Sequence, residues 1–165
     1  MEEKELELLQ LLEKNGRMEA EQIAIMMDIS VEDTKHMIKK LEDENAILGY
    51  SALVDWSKVL KYEGVTAMID VKVTPARGVG FDKVAERIYR FPEVKAVYLM
   101  SGAYDLSVSI EGTTMMEISR FVSDKLSTLD AVISTTTHFV LKKYKHDGII
   151  FEDDDDEDKR ILVSP

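Results

Sequence analysis

Apolar residues recur at helical spacing along the first forty positions, then at strand spacing through most of the remaining chain. Leu6, Leu9 and Leu12, with Leu8 beside them, mark a first helix that stops at Asn15-Gly16. A second apolar set, Ile23, Ala24 and Met27, ends at Asp28-Ile29. Ser30 then offers an N-cap hydroxyl with Asp33 three residues on, a variant of the capping box, and a third helix is expected from there. At about 100° per residue, Val31, Thr34, Ile38 and Leu41 gather on one side of that helix. Glu32, Lys35, His36, Lys39 and Asp43 fall on the opposite side.

Beyond this block, residues 51–64 read as a short strand and connector, since they are apolar and poor in Gly, Ser and Pro, with Trp56 as a packing residue. Strand-like and helix-like runs then alternate: Val65–Val73, Phe81–Phe91, Val94–Gly102, Tyr104–Gly112, Met115–Leu129 and Val132–Tyr144. That order is β-α-β-β-α-β, the ferredoxin-like plan. Within "LMSGAYDLSVSI", residues 99–110, a tight turn at Gly102-Ala103-Tyr104-Asp105 is expected to present backbone amides and one carboxylate at a hairpin tip. The fold class is α+β, a helix-turn-helix unit followed by a ferredoxin-like domain. The methionines of the second helical run sit at core spacing and imply no metal.

Length narrows the possibilities. At 165 residues the chain holds one ordinary domain or two small ones with marginal cores, so association into at least a homodimer is expected. There is no cysteine, which removes disulfides, thiolate nucleophiles and cysteine-bound zinc. No basic-plus-apolar leader and no apolar run near the roughly 20 residues needed to span a bilayer are visible, so a cytoplasmic protein without a membrane partner is expected. Charge divides the chain into three blocks: residues 1–60 carry 7 basic and 14 acidic residues (net −7), 61–148 carry 12 and 11 (net +1), and 149–165 carry 2 and 7 (net −5).

The acidity of the first block argues against a sequence-blind DNA coater, because phosphate contacts supply most non-specific affinity. It leaves room for a reader with one local basic stripe. Glu32 and Asp33 fall in the first turn of the third helix, where carboxylates complement the helix dipole, and Glu42, Asp43 and Glu44 fall at its far end. Spacing alone admits two accounts of Lys35, Lys39 and Lys40: a groove-reading face, or a solvated face of i,i+4 ion pairs.

Motif order separates them. The stretch "LELLQLLEKNGRMEAEQIAIMMDISVEDTKHMIKKLEDENAILGYSALVD" carries a leucine-rich helix, then "NGR", "IA", "IS", "IKKLE" and "ILGYSALVD". In that order and spacing it resembles the N-terminal winged helix-turn-helix of the Lrp/AsnC (feast/famine) regulators. The resemblance implies double-stranded DNA as a partner, with Arg17, Ser30, Lys35, His36, Lys39 and Lys40 as candidate contacts. It departs from the family where two arginines are common, because this chain has His36 and Met37 there.

The remainder resembles the effector-binding domain of the same family, in which two sheets pack across a dimer and dimers assemble further. Gly102 and Asp105 match that family's Gly-x-x-Asp pattern. The resemblance implies a small amino-acid effector at subunit contacts, with its ammonium on Asp105 and its remaining polar groups held by the turn around Met100, Ser101, Gly102, Ala103 and Tyr104. Read from the residues alone, Asp105 is also an ordinary turn-stabilising side chain. Arg77, in the loop "PARGVG", and Thr135 and Thr137, in "STTTH", are further candidates, with a glycine-rich β–α loop and ordinary strand packing as their plainer readings.

The expected organisation is a winged helix-turn-helix over 1–55, a connector over 56–64, an effector-binding and oligomerisation domain over 65–148, and an acidic tail over 149–165. The tail, "EDDDDEDKRILVSP", reads as a solvated run with a short apolar end that leaves room for a docking strand. The reading is a transcription regulator responding to a small amino acid, with no catalytic residues, metal or cofactor. Its rivals are a haem-pathway decarboxylase, since some proteins resembling this family are such enzymes, and a ligand-binding protein without DNA contact. His36, His138 and His146 show no mutual spacing that suggests a catalytic site.

Overall fold

The computed structural model describes residues 3–59, 64–74 and 80–151. The chain divides into two compact units, Met1–Val54 and Asp55–Pro165.

The first unit is built from three helices: α1 (Glu3–Lys14), α2 (Ala20–Met27) and α3 (Val31–Asp43). Leu8 and Leu12 of α1, Ile23 and Met27 of α2 and Leu41 of α3 close one apolar core, with Met37, Ile38 and Ile47 packed against it. Asp28 ends α2 in the left-handed region at φ 51°, and the three-residue turn it opens is what sets α3 across α2 as a helix-turn-helix. Ser30 caps α3 as expected: its Oγ accepts the Asp33 amide at 3.0 Å and donates to Asp33 Oδ2 at 2.6 Å.

The short strand expected from residue 51 onward is absent from the described residues. Residues 48–55 have no ladder partner, and Trp56–Lys58 forms a single 3-10 turn in which Trp56 is exposed rather than packed. An apolar run becomes a strand only where another edge accepts its hydrogen bonds.

In the second unit, β1 (Val65–Val73), α4 (Asp82–Tyr89), β2 (Val94–Leu99), β3 (Leu106–Gly112), α5 (Met115–Phe121) and β4 (Val132–Phe139) follow the expected order. The four strands form one antiparallel sheet in the order β2-β3-β1-β4. Alternation decides its faces. Ala67, Ile69, Val71 and Val73 of β1 and Leu106, Val108 and Ile110 of β3 are buried with Val84 and Ile88 of α4 and Ile118 and Phe121 of α5. The opposite face carries Met68, Asp70, Tyr98, Ser107, Thr136 and His138, and no helix of this unit covers it.

Two details depart from the sequence pattern. The second helical run is shorter than its apolar spacing suggests, because α5 passes at Phe121 into a π-helical turn, Val122–Leu126, that buries Leu126, and Met116, expected in the core, is exposed. Ile149 and Ile150, placed in the tail on composition, instead form β6 (Ile149–Ile150) against β5 (Lys145–His146), through a turn at Asp147 and Gly148.

The π-helical turn carries Lys125 to a point 5.7 Å from the Phe91 ring and 5.8 Å from the Phe121 ring, where its ammonium also binds Glu93. The two rings meet edge to face at 5.5 Å. The bond from Lys125 holds the Glu93 carboxyl below the usual carboxylate range, against an opposing push from burial. A depressed folded-state value means that the stabilisation is present at neutral pH and is lost as the pH falls through that value. Glu93→Gln should therefore cost about 1–2 kcal/mol at pH 7. In urea unfolding, its difference from the wild type should close in acid; equal stability at pH 7 would contradict the pairing.

Candidate functional site

α3 presents a narrow polar ridge. In angular order around the helix come Lys35, Lys39, His36 and Lys40, all exposed. The two outer members are engaged. Lys35 Nζ binds Glu21 of α2 at 2.9 Å, which raises the Lys35 ammonium and lowers the Glu21 carboxyl from their ordinary values. Lys40 Nζ binds Glu5 of α1 at 2.6 Å, and that carboxylate is buried. Between them, Lys39 and His36 form no ion pair or hydrogen bond with another described residue.

Ser30 is committed to capping, so a contact from it would come from the helix start it holds rather than from a spare hydroxyl. Arg17 is exposed on the loop after α1, where its amide donates to Asn15 Oδ1 at 3.1 Å in a local turn. Four acids near this ridge are also partnered, Asp33 in the cap, Glu21 and Glu5 with lysines, and Glu42 with the Tyr50 hydroxyl at 3.0 Å, while Glu32 and Asp43 are exposed on the same side of α3 as Lys39 and His36. Burial first, and then the Glu42 carboxylate, raise the Tyr50 phenol.

In the second unit, β2 and β3 are joined through Met100–Asp105, longer than the turn expected from sequence. The loop closes by a 2.8 Å bond from the Met100 amide to the Asp105 carbonyl. Asp105 is tied to the central strand: its amide donates to the Val71 carbonyl at 3.1 Å, and its Oδ2 accepts the Val73 amide at 2.9 Å. The Val73 amide points to the β3 side, one rung beyond the last β1–β3 pair at Val71 and Leu106, so the carboxylate satisfies an amide that the end of that ladder leaves over. Oδ1 has no partner among the described residues.

Met100, Ser101, Gly102 and Ala103 are exposed, and Tyr104 is half-buried with its hydroxyl 2.8 Å from Thr136 Oγ1. A Cβ at Gly102 would meet nothing within 4 Å, and its φ is not left-handed, so the fold itself does not require glycine there. The hydroxyl of β4 that meets this loop belongs to Thr136. Thr135 and Thr137 pair with Val71 and Ile69 and share the helix-covered face of the sheet. Arg77 lies outside the described residues, as does the acidic run from residue 152.

Sequence reasoning missed Glu5, Glu21 and Thr136. Glu5 had a signal: with Leu8 and Leu12 it falls on the buried stripe of α1, where a charged side chain requires a partner. Glu21 and Thr136 had none beyond being polar.

Among the described residues, no group of His, Cys, Asp and Glu could hold a metal, and no helix is long and apolar enough to cross a membrane. His138 pairs with Asp70 at 3.1 Å on the open sheet face and His146 lies 3.7 Å from Asp147, so each histidine of this unit has a local acidic neighbour.

Known proteins share this arrangement. A family model described as the Lrp/AsnC ligand binding domain matches residues 66–150. The chain is 66% identical over 163 residues to the uncharacterized HTH-type transcriptional regulator YugG of Bacillus subtilis (strain 168), across 99% of this chain and 98% of that relative. It is 26% identical over 147 residues to the proline dehydrogenase transcriptional activator of Rhizobium radiobacter, across 88% of this chain and 92% of that one. The crystal structure of a transcriptional regulator from Neisseria meningitidis in complex with L-Met is similar at a TM-score of 0.72 and 27% identity, over 88% of this chain and 93% of that one. AsnC of Escherichia coli shares the fold at a TM-score of 0.69 and 19% identity, over 88% and 95%. With the ligand-binding model matched over half its length and a regulator two-thirds identical over nearly all of it, the chain belongs to the Lrp/AsnC family of transcriptional regulators.

Proposed function

We propose that this transcriptional regulator reads a specific double-stranded DNA sequence through α3 and changes its binding when a small amino acid occupies the Met100–Asp105 loop at a contact between subunits. The observation that carries the DNA half is the pair Lys39 and His36, exposed side by side on the second helix of a helix-turn-helix and not engaged with any described acid. A lysine and a histidine supply donors for base edges in the major groove, while Arg17, and Lys35 once it leaves Glu21, reach phosphates. Lys40, already bound to Glu5, sits at the margin of this surface.

For the effector, the support is chemical. The second oxygen of Asp105 is an acceptor for an ammonium, and the exposed, unobstructed segment 101–103 offers amides for a carboxylate. Tyr104 and Thr136 border the loop, and Leu99 and Met100 are exposed beside it for an apolar side chain. The L-Met complex of the similar Neisseria regulator fits an effector of this size. The uncovered sheet face, with Tyr98 and Met68 on it, is the surface through which a second copy would dock as a homodimer and complete a site at the subunit contact. An effector there acts at a distance by favouring one assembly over another.

Lys39→Glu combined with His36→Ala should weaken binding to a duplex enriched by the wild-type protein from a randomised pool by about a hundredfold. Circular dichroism and oligomeric state should not change, because neither side chain is packed or paired. Undiminished affinity would remove α3 from the interface.

Asp105→Asn keeps an oxygen for the Val73 amide but removes the charge. Its melting temperature should stay within a few degrees of the wild type, while calorimetric titration with a panel of amino acids should lose the signal the wild type gives. A mutant that still binds the same amino acid equally well would return Asp105 to a purely structural role.

A further inference from the structure

Glu5 is a charged residue buried in the first unit, with 7% of its side chain exposed, and it stands on α1, which is not part of the helix-turn-helix pair. Its partner Lys40 lies 35 residues away on α3, half-exposed at 44%, one turn after His36 along the same edge. An open surface groove lies beside the pair, lined by Lys4 of α1, Ile29, and Asp33, His36 and Met37 of α3.

The stripe of α3 formed by Thr34, Met37, Ile38 and Leu41 sets which side of the helix faces the core, and leaves its outer edges to polar contacts. At the edge beside the groove, a short bond from a buried carboxylate adds a directional restraint, since leaving it unmade is costly.

We infer that Glu5 is a positioning residue for DNA reading: through Lys40 it fixes the rotation of α3 about its own axis, and so the direction in which His36 and Lys39 project. This rests on the proposal that α3 reads DNA. Lys40 is then a strut rather than a phosphate contact. The opposite edge is held more weakly by the exposed pair Lys35–Glu21, with 61% and 57% of the two side chains in solvent, so Lys35 can exchange its partner for phosphate while Lys40 keeps its own. The two reading side chains lie between a fixed edge and an adjustable one.

The test uses full-length protein and two duplexes, one enriched by the wild type from a randomised pool and one of random sequence, across a salt series. Glu5→Gln removes the charge, and Glu5→Met with Lys40→Met replaces the pair by apolar side chains, an exchange that ordinarily preserves stability. Both variants should lose about ten- to a hundredfold of their preference for the enriched duplex. The double variant, which leaves net charge unchanged, should keep its affinity for random DNA and its salt slope, whereas Glu5→Gln, which removes a negative charge, should bind random DNA slightly more tightly. If Glu5→Gln fails to fold, the double variant decides alone.

Three outcomes overturn the inference. In the first, the folded double variant keeps the wild-type preference. In the second, the double variant loses affinity for both duplexes equally and its salt slope falls by about one per unit, which makes Lys40 a phosphate contact. In the third, preference falls only in proportion to a lowered melting temperature. Failure of the DNA reading itself gives a different result, since Lys39→Glu with His36→Ala would then leave binding unchanged.

Discussion

Repulsion between a protein of net charge −11 and a polyanion is the constraint to which the first unit answers. Four of its acids have local partners. Asp33 is consumed in the cap of α3, Glu42 holds the Tyr50 hydroxyl, and Glu21 and Glu5 each bind a lysine on the margin of the exposed ridge. Under the proposed reading these carboxylates cap or brace the helices, and the outer face of α3 meets DNA through Lys39 and His36. A protein arranged this way has little general attraction for phosphate and depends on a few well-aimed contacts, which favours discrimination over affinity.

The second unit is organised around a different requirement, the satisfaction of β1. This strand pairs on both sides and carries four buried side chains, and where its ladder with β3 ends at Val71 and Leu106, Asp105 supplies the missing acceptor. The residue that the family pattern marks for a ligand is therefore also a structural one. The two roles use different oxygens, and their coexistence gives the proposed site its rigidity: the loop that meets the effector is fastened to the central strand of the sheet, so occupancy is felt by the element that spans the domain.

Elements whose signal is periodic were legible in the sequence. The helical spacing of Leu8 and Leu12, the cap at Ser30 and Asp33, and the alternation of Val65–Val73 each appear where the pattern puts them. Features that depend on partners remote in sequence were not. The Glu5–Lys40 pair spans 35 residues, the Tyr104–Thr136 contact spans 32, and the Ile149–Ile150 strand exists only because Lys145–His146 accepts it. The apolar run after residue 50 forms no strand for the same reason in reverse, having no ladder partner among the described residues. The π-helical turn after Phe121 left no trace in spacing, since Val122 and Leu126 also suit an α-helix. At the site, the loop around Asp105 came from motif resemblance and its double duty from geometry.

The central claim is that this protein uses few phosphate contacts and draws its specificity from base-reading side chains aimed by ion pairs within the protein. The slope of log affinity against log salt for an enriched duplex measures that number directly. With Arg17 and Lys35 as the phosphate contacts of each unit, two units on one duplex should give a slope of about −4, with strong preference over random DNA. A slope near −10, with similar affinity for random DNA, would contradict the account, because it would make this acidic protein a general binder of the phosphate backbone.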